Sequence, residues 1–263
     1  MRRVEAPVSV EVTGCVPEVR VVDADSVAAI LENGRGRAEY CDLAVLDFAS
    51  FVNPGGGYIR GAWAQEEALC SESFLYNVLE SQRDWYGENR RRNINCELYR
   101  NRGLVVPKVR FARDKIHAYA DVLVIAAPNA RRAREEYGVK EGVLERAMRE
   151  RIRFALDVVD MLGHKKVVLG AWGCGVFGWD ADTVAELFRE ELARGTHAIE
   201  LAIFAVSRDR FNENLQHFEH VFAAFPEKNA VSYAEAAAER AAAAAEAEAQ
   251  EEDEGEDDWR KYL

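Results

Sequence analysis

Two short apolar runs that each lead directly into a glycine-rich loop constrain the fold of this chain most. Residues 42–48 (Asp-Leu-Ala-Val-Leu-Asp-Phe) precede three consecutive glycines, and residues 165–171 (Lys-Lys-Val-Val-Leu-Gly-Ala) precede a second glycine loop at 173–178. Runs of this length and composition predict buried strands. In open α/β sheets, ligands bind beyond the carboxyl ends of such strands, so both loops are candidate ligand sites.

The rest of the 263-residue chain alternates between strand and helix patterns. Further strands are predicted over 18–22, 104–111, 121–127 and 199–206, with Pro107 favouring a sheet edge. Helical patterns cover about 26–31, 64–81, 141–162, 180–194 and 212–224. The arginine-rich residues 83–103 are interpreted as an irregular excursion. We therefore expect an α/β fold, a three-layer α/β/α sandwich around a mixed, largely parallel sheet.

The charge is divided unevenly along the chain. Of the net charge of −12, residues 234–263 carry −8, which leaves −4 on residues 1–233. We predict one α/β domain over 1–233 and an acidic Ala/Glu-rich tail over 234–263, disordered or loosely helical. Trp259 and Tyr262 are a candidate docking element at its end. A mildly acidic body argues against direct nucleic-acid binding.

Cysteine usage and hydropathy indicate the compartment. The five cysteines are odd in number and none is spaced Cys-x-x-Cys, so a disulfide framework or metal site is not expected. No apolar run is long enough for a membrane span, and the first residues lack a secretory signal. The sequence predicts a cytoplasmic protein without a membrane partner or metal.

The first glycine loop carries a pattern that suggests chemistry. Residues 53–57 (Asn-Pro-Gly-Gly-Gly) are followed by Gln65, Glu66 and Glu67. Glycine amides can closely approach an anion, and glutamates at a helix start can supply an acid. Adjacent helical residues point about 100° apart, so the two carboxylates cannot flank one bond as in the usual paired-carboxylate glycosidases.

Three glycines, a short spacer and Gln-Glu-Glu resemble the signature of the bacterial-type poly(ADP-ribose) glycohydrolases. Residues 46–57 are similar to that family at nearly every position, and residues 170–178 (Gly-Ala-Trp-Gly-Cys-Gly-Val-Phe-Gly) match its second loop. The resemblance covers about 18–225 and implies a macrodomain-like fold. Two departures are Trp63, which is bulkier than expected, and Asp47, where an asparagine is common.

The resemblance implies hydrolysis of ribose–ribose bonds in poly(ADP-ribose), with Glu67 as catalytic acid and Glu66 holding ribose hydroxyls. No cofactor is implied. It also implies that ADP-ribose or its polymer, and in some cases ADP-ribosylated proteins, are the partners. The implied ligand-binding residues are Asn53, Gly55, Gly56, Gly57, Gln65, Gly173, Cys174, Gly175, Val176 and Phe177. Arg208, Phe211 and Asn214 lie where the adenosine end would rest.

Two alternatives remain open from the sequence. A non-catalytic ADP-ribose-binding macrodomain would need only the glycine loops, although it would have no use for the acid pair. An enzyme that removes single ADP-ribose units from protein or nucleic acid would use the same pocket. Asn129 either shapes the pocket or turns the chain. His217 and His220 are interpreted as part of a solvated helix face rather than as metal ligands.

Overall fold

The computed structural model describes residues 1–92 and 95–243 and contains a seven-stranded sheet. Its strands are β1 Arg2–Glu5, β2 Glu18–Val22, β3 Leu43–Phe48, β4 Arg102–Arg113, β5 Ile116–Ile125, β6 Lys166–Leu169 and β7 Leu201–Ala205. They are ordered β1-β4-β5-β3-β6-β7-β2. The β5-β3-β6-β7-β2 part is parallel, whereas β4 pairs antiparallel with β1 and β5. The predicted mixed, largely parallel sheet is confirmed.

Helices cover both faces of the sheet. They are α1 Ser26–Asn33, α2 Gln65–Ser71, α3 Leu75–Glu80, α4 Arg83–Arg92, α5 Ala130–Tyr137, α6 Glu141–Leu162, α7 Ala181–Ala193 and α8 Asn214–Phe222. One apolar core packs the sheet against α5 to α8, and the other packs it against α1 to α4. This is the three-layer arrangement that the sequence predicts.

Strand β3 contributes to both cores because successive side chains of a strand point to opposite faces. Ala44 and Leu46 belong to the core with α5 to α8, and Leu43 and Val45 belong to the core with α1 to α4. The same alternation directs Asp47 toward the layer of α1 to α4.

Three local predictions are wrong. Pro107 does not mark an edge, because β4 lies between β1 and β5; the proline is accommodated where the β4–β5 register shifts between Val106 and Val109. Residues 83–92 form α4, which buries Trp85 and Tyr86 against the core despite its many arginines. The helical pattern over 64–81 is two helices, α2 and α3, rather than one.

The chain is divided into two compact units, Met1–Glu227 and Lys228–Leu263. In the second unit, residues 233–243 are helical. Ser232 and Glu235 begin this helix as a capping pair, since the Ser232 N–H donates to Glu235 Oε2 at 3.0 Å. The rest of the acidic tail, with Trp259 and Tyr262, lies outside the described residues, and the 233/234 boundary stays a prediction.

No helix in the described ranges combines the length and the apolar character needed to cross a bilayer.

Candidate active site

A cleft opens at the carboxyl ends of β3, β5 and β6, where both glycine loops leave the sheet. Its volume is about 300 Å³, at the lower end of the range for small-molecule sites. The lining residues are Phe48, Ser50, Gly56, Gly57, Ala64, Gln65, Glu66, Glu67, Ala127, Ala171, Trp172, Gly173, Gly175, Val176 and Phe177. The fold thus brings the two sequence-predicted loops and the Gln-Glu-Glu segment to one place.

Gln65 ties the start of α2 to the end of β3. Its side-chain Nε2 donates to the Leu46 carbonyl at 2.9 Å, and its Oε1 accepts the Phe48 N–H at 2.9 Å. Nε2 also donates to Ser26 Oγ at 3.0 Å. The Gln65 amide therefore hydrogen-bonds the peptide groups at the end of β3 as a neighbouring strand would. Its role is to position α2, and it takes no chemical part in a reaction.

The two glutamates bind the backbone of the first loop. The Ser50 N–H donates to Glu66 Oε2 at 2.8 Å, and the Gly57 N–H donates to Glu67 Oε1 at 2.7 Å. Both side chains are buried, with 3% of Glu66 and 7% of Glu67 exposed. The loop and the head of α2 thus hold each other in place.

Gly56 makes this arrangement possible. A Cβ atom at this position would lie 2.5 Å from Glu67 Oε1 and 2.7 Å from Glu66 Oε2. The residue also has a φ of +59°, which side chains disfavour. Hence only glycine allows both carboxylates to approach the same backbone position, even though adjacent helical residues diverge.

The first loop therefore uses its amides differently from the anion cradle that the sequence suggests. Besides the donations from Ser50 to Glu66 and from Gly57 to Glu67, the Asn53 N–H donates to Ser50 Oγ at 3.1 Å and the Gly56 N–H to the Asn53 carbonyl at 3.2 Å. Pro54 has no N–H. The acidic groups that accept from this loop in the structure are the chain's own carboxyl groups.

The second loop leaves its amides free. Gly173 has a φ of +82°, and a Cβ there would lie 2.7 Å from Trp179 Cδ1. Within residues 1–92 and 95–243, the N–H groups of Gly173, Gly175, Val176 and Phe177 have no hydrogen-bond acceptor. Successive unpaired N–H groups in a glycine loop suit an anion such as a diphosphate.

Phe177 lies between the cleft and the core. Its ring meets that of Tyr99 edge-on at 6.4 Å, and Tyr99 stacks on Phe51 at 4.4 Å. The Phe177 carbonyl accepts the Arg131 N–H at 2.8 Å. The residue therefore lines the cleft and also packs against the core.

Burial favours the neutral forms of two acidic side chains at or beside the cleft, Glu66 and Cys174. Burial first, and then the Asp47 carboxylate, raises the pKa of Glu66 well above its ordinary value. Burial also raises the pKa of the Cys174 thiol, which argues against a nucleophilic thiolate.

Three predicted ligand-binding residues do not line the cleft. Asn53 Oδ1 instead accepts from Arg90 Nη2 at 3.0 Å. Gly55 lies against Tyr76 and Cys70 beneath the loop, and Cys174 is likewise absent from the lining. Their assignment as ligand contacts stays a prediction.

Several lining residues were missed from the sequence: Phe48, Ser50, Ala64, Ala127, Ala171 and Trp172. Three of these stand at or just after a strand end, namely Phe48 on β3, Ala127 after β5 and Ala171 after β6. Strand ends could have identified them, because the carboxyl ends of parallel strands share one edge.

A neighbouring cleft of about 360 Å³ shares Phe48, Ala64, Gln65 and Ala171 with the first. Its outer part contains Trp63, Arg208 and Asn214, and Arg208 Nε donates to Asp23 Oδ2 at 3.1 Å. Phe211 lies outside it and is 80% exposed. Two of the three residues predicted for an adenosine end thus lie together beside the main cleft.

Comparison with known proteins gives a consistent result. Residues 5–114 match the family model of the microbial-type PARG catalytic domain. No curated protein matches the chain.

Solved structures of bacterial poly(ADP-ribose) glycohydrolases are similar over most of the chain. The Thermomonospora curvata enzyme bound to the inhibitor ADP-HPD is 31% identical, with a TM-score of 0.69, over 78% of this chain and 79% of that one. The Deinococcus radiodurans enzyme in complex with ADP-ribose is 32% identical, with a TM-score of 0.69, over 78% of this chain and 84% of that one.

Proposed function

Because the chain belongs to the bacterial-type poly(ADP-ribose) glycohydrolase family, with its macrodomain-like α/β fold, we propose that it hydrolyses the ribose–ribose bonds of poly(ADP-ribose) and releases ADP-ribose. The observation that carries this proposal is the Glu67 carboxyl, held by the Gly57 N–H in a cleft whose opposite loop has free amides. A ligand in this cleft would contact both the Glu67 acid and the free amides of the second loop.

Glu67 is the catalytic acid in this proposal. Its Oε1 accepts the Gly57 N–H, so Oε2 is left to carry the proton that is transferred. Glu67 donates this proton to the leaving ribose oxygen as the bond from that oxygen to the anomeric carbon breaks. The resulting carboxylate then accepts a proton from the water that attacks the oxocarbenium-like carbon, which restores the acid.

The second loop binds the diphosphate. The free N–H groups at Gly173 and 175–177 donate to its oxygens, and this brings the negative charge close to the carbon that becomes positive. The adenosine end extends into the neighbouring cleft toward Arg208 and Asn214. Phe177, fixed by Tyr99, packs on the ribose and sets its angle.

The supporting groups have separate tasks. Glu66 holds ribose hydroxyls, while Gln65 keeps α2 in register with β3. The substrate enters from a chain end of the polymer.

The test is release of ADP-ribose from labelled polymer by the purified protein. We expect release between about pH 5 and 8, and its absence across that range contradicts the proposal. Glu67→Gln should lower turnover by about 10²–10⁴, typical of a general acid. ADP-ribose affinity should stay within about tenfold, or 1.4 kcal/mol.

Glu135→Gln is the matched control, because Glu135 is an exposed glutamate on α5 away from the cleft lining. It should leave both turnover and affinity unchanged. Full turnover by Glu67→Gln would rule out the acid assignment. A panel of mono- and poly-modified substrates distinguishes the polymer from single ADP-ribose units on protein or nucleic acid.

A further inference from the structure

Asp47 lies close enough to the start of α2 for its charge to act on Glu66 and Cys70. It is fully buried, and its two neighbours in β3 are the residues whose peptide groups bind the Gln65 amide. Glu66 and Glu67 follow Gln65 immediately. The geometry therefore sets a third carboxyl near the two that the cleft presents.

This carboxyl has no partner in the described part of the chain. Both Asp47 oxygens are buried without a hydrogen bond, and so is Glu66 Oε1. None of the three acids forms an ion pair with a described Lys, Arg or His. An unpaired carboxylate away from water is costly, so burial favours the protonated forms of Asp47 and Glu66.

The groups facing Asp47 come from two helices. Helix α2 contributes Glu66, Glu67 and Cys70, and α4 contributes Tyr86. Burial raises the pKa of the Cys70 thiol and of the Tyr86 hydroxyl, so both stay neutral. The residue opposite Asp47 on β5 is Val124, which is apolar. Among the described residues around Asp47, the ones left to exchange protons with it are therefore carboxyl groups.

The charge states of these acids depend on each other. Burial, followed by the charge of Glu67, raises the pKa of Asp47 well above its ordinary value. Burial and then the charge of Asp47 act on Glu66 in the same direction. Like charges that share a buried site titrate as a group rather than singly.

We propose that Asp47 is a positioning residue for the hydrolysis reaction: it shares protons with Glu66 and Glu67, so that the cluster keeps a proton available to Glu67 at higher pH. The inference rests on the proposed function. No net proton is gained or lost, because the proton donated to the leaving oxygen returns from the attacking water.

The direction in which Asp47 shifts the protonation of its neighbours follows from the repulsion between like charges. When Asp47 is ionised, its negative charge opposes ionisation of the two glutamates. The substitution Asp47→Asn places a permanently neutral amide at this position, so it removes this repulsion at every pH. The cluster then loses its last proton at a lower pH than in the native chain, because Asp47 no longer raises the pKa of Glu66.

The first experiment compares the pH profiles of polymer hydrolysis by the native protein and Asp47→Asn. Near pH 6 the two hydrolysis rates should agree within about threefold. At alkaline pH the rate of the variant should begin to fall about one pH unit lower than that of the native protein, which is about a tenfold loss of rate at a given pH on that limb. Superimposable profiles, or a limb at higher pH, would overturn the proposal.

Asp157→Asn is the matched control. Burial raises the pKa of this carboxyl too, but it lies on α6 and contacts His197 rather than the cleft. Its pH profile should match that of the native protein. An equal shift in this variant would show that the effect of Asp47 is general rather than local.

The second experiment needs no activity, so it separates this inference from the proposed function. A raised folded-state pKa means that the stability contributed by neutral Asp47 is present at acid pH and lost as pH rises. The Tm of Asp47→Asn minus the native Tm should therefore increase from pH 5 to pH 9. A constant or decreasing difference would show that Asp47 does not hold a proton.

Discussion

The two glycine loops follow parallel strands at the same edge of the sheet, and both contain glycines with positive φ, but they use their amides in opposite ways. The first loop donates its N–H groups to Glu66, Glu67 and neighbouring atoms. In the second loop, four N–H groups have no acceptor among the described residues, so they remain available to a ligand. One loop holds the acid and the other is left for the anion.

This difference shows that a run of glycines does not by itself identify a phosphate site. Three consecutive glycines suggest the stronger cradle, but their role here is to let two carboxylates reach the backbone. The partner of each amide, rather than the number of glycines, decides which loop can bind an external anion. The predictions below test this division.

The largest effect is expected for Gly56→Ala. The new methyl group would meet both carboxylates and would require a positive φ, so Glu67 must move away from its position. Turnover should fall by about 10²–10⁴, as for loss of a general acid. ADP-ribose affinity, measured by calorimetry, should stay within about tenfold. A variant that binds weakly but turns over normally when saturated would reverse the assignment of the two loops.

An intermediate effect is expected for Gly173→Ala in the second loop. Its positive φ and the short approach to Trp179 force the backbone to shift, which misplaces the free amides. ADP-ribose affinity should weaken about tenfold, or 1.4 kcal/mol, while turnover at saturating polymer changes less. Unchanged affinity would show that these amides do not bind the diphosphate.

The smallest effect is expected for Val176→Ala. This side chain is 74% exposed, and the substitution keeps the backbone N–H that the proposal uses. Affinity and turnover should each stay within about threefold, as for most surface substitutions. A larger loss of affinity would mean that the side chain, and not the amide, contacts the ligand.

The fold was largely predictable because its signals are local. Apolar runs gave β2, β3, β6 and β7 nearly to the residue, and the long amphipathic α6 was predicted with its observed bounds. Strand β1 and helix α5 were missed. The interior position of β4 was also mispredicted, because its partner β1 is a short and mostly exposed strand about 100 residues away in the chain.

The site was predictable as a set of residues but not as a set of contacts. The motif located Glu66, Glu67 and both loops, which the fold brings together. Whether an amide is free or occupied depends on side chains 10 to 16 residues away, as for Gly57 with Glu67 and Ser50 with Glu66. Such pairings depend on three-dimensional packing and leave no periodic trace in the sequence.

The Gln65 amide has a consequence for how such enzymes can diverge. Since Gln65 attaches α2 directly to β3, the height of the acid above the sheet is set by the strand and not by the segment 58–64. That segment is largely exposed, with Ile59 and Trp63 in solvent and open space around Gly61. Insertions or deletions there are therefore free to accumulate during evolution and to reshape the cleft entrance while the acid keeps its place.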